Sequence, residues 1–248
     1  METISHDHFK NIIDLCDLST IKNFRTTNKY IEKLCFNHMM QNCMITFQNI
    51  MTEDDNIYKK YKNLKCLKIN NLQYVHKFPC LEVLVLNYES KLFNYGYHQN
   101  QSIELILPDS LTHLSFGNDF NQSIKNILPD SLTHLTFGRD FNQPITQVLP
   151  SKLTHLVFGY RFNQSIKNIL PDSLTELIFG DYFNQPITDV LPDKLTRLIF
   201  GNHFNQSITD ILPNNLTHLT FNYWFNQPIT NILPDSLIYL RVIDLTNQ

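Results

Sequence analysis

The chain has 248 residues, of which 42% are hydrophobic and 12% aromatic, and its formal net charge is −3. This composition is too apolar for a disordered chain, and it lacks the basic excess of a protein that coats nucleic acid. No apolar run reaches the roughly 18 residues of a membrane span, and the amino end lacks the features of a signal peptide. The five cysteines form no C-x-x-C motif, so we expect free thiols in an intracellular, cytoplasmic protein.

Residues 1–48 have apolar side chains at helical spacing, and Asp17 or Ser19 is placed to cap a second helix. The pattern predicts a small module of short helices. If they form an exposed apolar face, these residues are a candidate docking site for a partner: Phe9, Ile12, Ile13, Leu15, Leu18, Ile21 and Phe24.

Residues 49–98 contain two degenerate strand patterns, LKCLKI from Leu64 and LEVLVL from Leu81. Their spacing is irregular, and an insertion at 88–98 separates them from the regular repeats downstream. Atypical terminal repeats cap many repeat arrays, so we assign residues 49–98 that role.

Residues 99–248 form a repeat array without insertions. The dipeptide Leu-Pro recurs every 21 residues from Leu107 to Leu233, and two phenylalanine columns start at Phe116 and Phe120. Each unit has an L-x-x-L-x-F pattern, as in Leu111–Phe116, in which apolar and polar residues alternate with the period of a short strand. One short strand cannot bury its own apolar face, so successive coils must stack. We therefore predict a mostly β protein, a right-handed parallel β solenoid of leucine-rich-repeat type.

Stacking places equivalent residues in columns. The asparagines that come after the second phenylalanine, such as Asn121 and Asn142, would superpose and satisfy backbone groups in the turns. Repeated Asp-Ser pairs before each strand also fit turn chemistry, because a catalytic site would be unique rather than copied. No G-x-G-x-x-G, Walker or G-x-S-x-G motif occurs. We expect no enzymatic activity and no cofactor.

Variation within the array concentrates on one surface. Aligning residues 121–162 with 163–204 gives ten differences, eight of them at unit positions three, five, eight and nine. Positions three and five point away from the core, and eight and nine extend that surface. Unselected change at exposed sites is one explanation, and a partner-binding face is the other. The candidate residues of that face are His113, His134, Arg139, His155, Tyr160, Arg161, Glu176, Tyr182, Arg197, His203, His218, Tyr223, Trp224 and Tyr239.

Two observations limit the kinds of ligand and partner that this face can bind. Three consecutive histidines at position three would lie about 5 Å apart on adjacent strands, but the sequence indicates nothing that would orient them, so we expect no metal. From residue 107 onward there are eight Lys and Arg against twelve Asp and Glu, the wrong sign for phosphate binding. A protein target is favoured over nucleic acid, and no membrane contact is expected.

The array resembles the FNIP repeat, a relative of leucine-rich repeats that is expanded in social amoebae and giant amoebal viruses. The residues that match are the Phe-Asn-Gln-Pro-Ile of 141–145 and the Leu-Pro-x-x-Leu downstream. Residues 9–35 resemble an F-box, a motif that commonly precedes such repeats. This resemblance implies a substrate adaptor of a Skp1–cullin–F-box ubiquitin ligase, in which the helices bind a Skp1-like adaptor and the repeats bind a target. The alternative is an interaction scaffold in which the helices serve only as a cap.

The carboxyl end of the array has a last strand pattern, Leu237–Val242, with no capping helix pattern after it. An open strand edge tends to pair with another chain. We therefore expect the last coil to pack on a second copy or on a bound partner, and contact between two such ends would give a homodimer.

Overall fold

A computed structural model describes residues 45–47, 63–69, 75–86, 107–209, 211–230 and 232–243. Within these residues the chain forms one parallel sheet of ten strands, whose spatial order is the order of the sequence. The strands are β1 Ile45–Phe47, β2 Cys66–Ile69, β3 Val83–Leu86, β4 His113–Ser115, β5 His134–Thr136, β6 His155–Val157, β7 Glu176–Ile178, β8 Arg197–Ile199, β9 His218–Phe221 and β10 Tyr239–Val242. The one helical element described is a 3₁₀ turn, Val75–Lys77.

The sheet confirms the parallel solenoid and its 21-residue repeat. From β4 to β10 each residue pairs with the residue 21 positions later, as His113 pairs with His134. The two degenerate patterns are also strands of this sheet, and β3 pairs with β4 through Val83 and His113 despite the longer connection.

The core consists of continuous columns. In each coil from β4 to β9 the leucine in the middle of the strand and both phenylalanines are buried, as are Leu156, Phe158 and Phe162. Within a coil the two rings stack at about 4 Å, for example 3.8 Å between the centroids of Phe158 and Phe162. Between coils, rings of one column lie 5.6 Å apart from Phe158 to Phe179. Each ring therefore contacts neighbours in both directions, which buries the apolar surface that one coil could not cover alone.

Polar columns close the turns, as the asparagine pattern predicted. The Asn121 side-chain oxygen accepts the backbone N–H of Asn142 at 2.9 Å, and the same contact joins Asn142 to Asn163. The glutamine after each asparagine donates its side-chain amide to the same oxygen, for example from Gln164 to Asn142 at 3.0 Å. The in-register asparagines therefore have a structural role.

A glycine column permits the close approach of coils after each strand. A Cβ atom on Gly159 would lie 1.7 Å from the carbonyl oxygen of Gly138, and one on Gly180 would lie 1.8 Å from that of Gly159. A side chain at Gly159 or Gly180 would therefore overlap the backbone of the preceding coil unless the two coils moved apart. Gly138 and Gly201 make the same kind of close contact, and Asn222 takes the equivalent place after β9.

The amino-terminal boundary differs from the predicted one. Strand β1, Ile45–Phe47, falls within the range 1–48 assigned to the helical module, yet it pairs in parallel with β2. The sheet therefore starts before residue 48. The predicted helices themselves, with the seven docking residues from Phe9 to Phe24, lie outside the described residues. In the part of the chain that the structure describes, no helix is long and apolar enough to cross a membrane.

Candidate interaction surface

The first and third residues of strands β4–β9 point away from the core and form what we call the groove face. Their side chains are half-buried, whereas the middle residue of each strand is buried. The groove face borders a depression of about 510 Å³ that extends from β3 to β9. Most of the predicted partner-binding residues at position three line it, from His113 to His218.

Three histidines form a stacked ladder along this face. The ring centroids of His113 and His134 are 4.0 Å apart, and those of His134 and His155 are 4.1 Å apart, with nearly parallel planes. This is closer than the roughly 4.8 Å between strands, so the rings lean into contact. The histidines of this ladder are therefore held as a unit rather than as three independent surface residues.

Threonines at position two orient the histidines. The hydroxyl of Thr133 donates its single proton to the carbonyl oxygen of Thr112 at 3.1 Å, and it lies 2.8 Å from Nδ1 of His134. Thr112, Thr154 and Thr217 make the same pair of contacts beside His113, His155 and His218. A threonine hydroxyl therefore fixes the orientation of each of these histidine rings.

This arrangement supplies the orienting contact that sequence reasoning did not find, but it does not make a metal site. The rings are stacked face to face, so the lone pairs of neighbouring rings run side by side instead of converging on one ion. In the described ranges, no group of three His, Cys, Asp or Glu side chains could hold a metal.

Towards the carboxyl end of the position-three column, an ion pair follows the three stacked histidines. Glu176 and Arg197 occupy the next two places of the column, and Nε of Arg197 lies 3.5 Å from Oε1 of Glu176. The two charges offset each other. The position-three column of β4–β9 is thus close to neutral when its histidines are neutral.

The third residues of the strands add an apolar stripe that was not among the residues predicted from sequence. Val157, Ile178 and Ile199 lie side by side on β6–β8 and are half-buried. Strand alternation places them beside His155, Glu176 and Arg197. Variation between the units had already placed position five on this surface, although no residue at that position was named as a candidate. The groove face therefore combines aliphatic groups with polar rings.

A second exposed surface lies beyond the ends of the strands, at unit positions eight and nine. We call Tyr160, Tyr182, His203, Tyr223 and Trp224 the aromatic ridge. The rings of Tyr160 and Tyr182 meet edge to face at 5.0 Å, and those of Tyr182 and His203 stack at 4.7 Å. His203 and Trp224 are nearly parallel at 6.2 Å. The ridge therefore crosses four coils as one chain of ring contacts.

Charged residues flank the start of the ridge. The guanidinium of Arg139 lies 5.4 Å from the centroid of the Tyr160 ring, and Nε of Arg161 is 3.1 Å from Asp140. A side-chain hydrogen bond with Tyr182 raises the pKa of Tyr160 above its ordinary value. The predicted residues Arg139, Tyr160, Arg161 and Tyr182 are thus brought together.

The backbone beneath the ridge forms its own ladder between coils. Tyr182 N–H donates to the carbonyl of Tyr160 at 3.0 Å, and Trp224 N–H donates to that of Asn202 at 3.1 Å. The side chains above remain open to solvent, with exposed fractions of 38% for Tyr160, 44% for Tyr182 and 62% for Trp224. Large aromatic side chains are therefore exposed on a rigid support. The last predicted residue, Tyr239, lies on β10, where its ring stacks on His218 at 5.8 Å.

Comparison with known proteins shows which repeat family the array matches. Residues 100–140, 120–161, 141–179, 162–203 and 204–243 each match the FNIP repeat, and together they span more than half of the chain. Among solved structures, the chain is similar to CroV588, described as a novel circular LRR protein structure, with 42% sequence identity and a TM-score of 0.58. That match covers 73% of this chain but 30% of the CroV588 chain, so this chain spans less than a third of the length of that relative. A search of curated proteins gives no significant match.

The repeat solenoid thus resembles interaction scaffolds of the leucine-rich-repeat type rather than known enzymes. The family assignment rests on the repeats, because their matches run without a gap from residue 100 to residue 243. The chain belongs to the FNIP-repeat family.

Proposed function

We propose that this protein is a non-catalytic adaptor that binds a protein target through the groove face and the aromatic ridge. The observation that supports this most is the exposure of Tyr182 and Trp224 above a backbone that is hydrogen-bonded from coil to coil. Tyrosine, tryptophan and arginine are enriched at binding hot spots. A rigid backbone beneath them reduces the conformational freedom that is lost on binding.

The chemistry of the groove face indicates the kind of segment it accepts. Val157, Ile178 and Ile199 supply a central aliphatic stripe, and the neighbouring charges of Glu176 and Arg197 are already paired. Such a surface favours an apolar segment of low charge. From residue 107 onward the chain has twelve acidic against eight basic residues, and this acidic excess disfavours binding to a nucleic-acid backbone.

We further propose that the adaptor belongs to a Skp1–cullin–F-box-type ubiquitin ligase. The support is the F-box resemblance of residues 9–35. In this proposal the apolar face that includes Ile12 and Leu15 binds a Skp1-like adaptor, and the repeats bring the target to the ligase.

A second candidate is a scaffold in which the amino-terminal segment only closes the array. The observation that favours it is β1, because Ile45–Phe47 already belongs to the sheet although it lies within the range assigned to the helical module. A segment that is continuous with the first coil is well placed to act as a cap.

Two full-length variants separate these proposals. In the first, Ile12→Asp with Leu15→Asp, we expect loss of binding to purified Skp1 while the β signal in circular dichroism is retained. In the second, Tyr182→Ala with Trp224→Ala, we expect unchanged Skp1 binding but loss of the target captured from a lysate. Failure of the wild-type chain to bind Skp1 would favour the scaffold. Capture of the same proteins by wild type and the ridge variant would contradict the proposed target-binding surface.

A further inference from the structure

The outer edge of β10 departs from the strand pairing and the burial that repeat along the rest of the array. Among the described residues β10 pairs only with β9. Leu240 and Val242 are each 38% exposed, whereas their equivalents on β9, Leu219 and Phe221, are fully buried. Among the described residues, no later coil covers these two side chains.

Exposed apolar residues concentrate at the same end. The described part of the chain has eight large hydrophobic residues that are exposed, and six of them lie between residues 223 and 242. They include Ile238, which is 80% exposed at a position that threonine holds in the six preceding coils. A concentration of exposed apolar residues of this kind is typical of an interface.

Backbone groups at this edge are also available to a partner. On β9 the carbonyl of Thr217 accepts hydrogen bonds from the N–H groups of both Ile238 and Tyr239, at 2.9 Å each. Within the described ranges no further coil supplies donors for the equivalent carbonyl, that of Ile238. Natural edges are usually protected by lysine, proline or a bulge, and β10 has Arg241 as its single charge.

We propose that two copies of this chain pair through β10, with antiparallel strands and Leu240 of both copies on the two-fold axis. In an antiparallel pair, opposed residues share a face of the sheet, so the axis must pass through a residue paired with its own copy. Centring on Arg241 would oppose two like charges, which is destabilising. Centring on Leu240 instead opposes Tyr239 to Arg241, a favourable cation–aromatic pair, and Ile238 to Val242, an apolar pair.

This register has a structural consequence. A two-fold axis perpendicular to the sheet keeps both groove faces on the same side. The two grooves then run into one another, with Tyr239 and Arg241 of each copy at the junction. The dimer would present two binding faces to one elongated or divalent target, which increases avidity without any new contact.

The register is tested by cross-linking in the full chain. With Leu240 on the axis, the two Leu240 Cα atoms lie about 4.5–5.5 Å apart, within the range that a disulfide can join. We expect Leu240→Cys to form a reducible dimer under mild oxidation. The matched control is Ile238→Cys. Residue 238 is more exposed than Leu240, but in this register it would lie roughly 14 Å from residue 238 of the second copy. It should cross-link at least about tenfold more slowly, because the geometry excludes the bond.

Two further measurements complete the test. A mixture of the Ile238→Cys and Val242→Cys chains should form the heterodimeric disulfide, and the wild-type chain, with its five cysteines, sets the background. Light scattering at roughly 1–50 micromolar, a range that covers ordinary homodimer affinities, should give a dimer for wild type and a monomer for Val242→Lys with an unchanged circular dichroism spectrum.

Three results would overturn the proposal. They are a wild-type monomer over the whole concentration range, species that grow beyond the dimer, and equal cross-linking of Ile238→Cys and Leu240→Cys. Growth beyond the dimer would show that β10 binds a different surface of the next copy.

Discussion

Removal of one ring from the middle of the second phenylalanine column tests whether stability comes from coil-to-coil stacking. Phe162 is fully buried, and its ring stacks on Phe158 at 3.8 Å and on Phe141 and Phe183 at 6.2 Å each. We expect Phe162→Ala to lower the free energy of unfolding by about 3–5 kcal/mol, the usual cost of removing a buried phenylalanine. Since coils are coupled to their neighbours, denaturation should remain one transition with a lower midpoint.

The matched control is Phe225→Ala, at the same position of the last complete coil. Phe225 is 9% exposed and stacks on Phe221 and Phe204 but has no ring beyond it among the described residues. It loses one ring pair fewer, and each pair contributes about 0.5–1.5 kcal/mol beyond burial. We expect Phe225→Ala to cost less than Phe162→Ala by about that amount in urea denaturation. Equal losses, or a loss below about 1 kcal/mol for Phe162→Ala, would refute the stacked-column account of stability.

Two backbone substitutions should act in opposite directions. Gly159→Ala places a Cβ atom 1.7 Å from the Gly138 carbonyl oxygen. We therefore expect urea denaturation to show a free energy of unfolding that is lower by about 3 kcal/mol or more. A decrease below about 1 kcal/mol would show that the coils can separate at small cost. Gln147 has a φ of 55°, in the left-handed region that glutamine disfavours, whereas Asn126 and Asn168 hold the equivalent place in two other coils. Gln147→Asn should therefore raise the unfolding free energy by about 0.5–1 kcal/mol, and an unchanged or lower midpoint in thermal denaturation would contradict this.

Much of the fold could be predicted because the same pattern of apolar residues recurs in every coil of the array. The L-x-x-L-x-F pattern located the strands, and even the degenerate LKCLKI and LEVLVL segments are strands β2 and β3. Strand β1 escaped prediction because Ile45–Phe47 is three residues long and lies outside any leucine pattern. The left-handed conformation at Gln147 was also missed, because asparagine, glutamine and aspartate alternate at this position and only the first and last of these favour it.

The candidate surface was predicted less completely. Variation identified Tyr160, Tyr182 and Trp224, which the structure brings into one ridge with His203. The stacking of the histidines and their orientation by threonine depend on side-chain angles, which the sequence pattern does not specify. Thr133 was not among the predicted site residues, although its hydroxyl contacts both a carbonyl of the preceding coil and a histidine.

The contacts between coils explain why some positions outside the apolar core are nearly uniform and others vary. Thr154 donates its hydroxyl to the preceding coil, Asn163 accepts a backbone N–H from the next one, and Gly159 lies against backbone. These residue types are favoured by the stacking of the coils. At positions eight and nine a backbone hydrogen bond joins neighbouring coils, as from Tyr182 N–H to the Tyr160 carbonyl, and any residue other than proline can supply the donor. The side-chain contacts made there differ from coil to coil and include an ion pair and an amide hydrogen bond as well as ring contacts. The fold therefore leaves the side chains of the ridge unspecified, so stacking does not require aromatic residues there, and a role in binding accounts for them better than a role in stability.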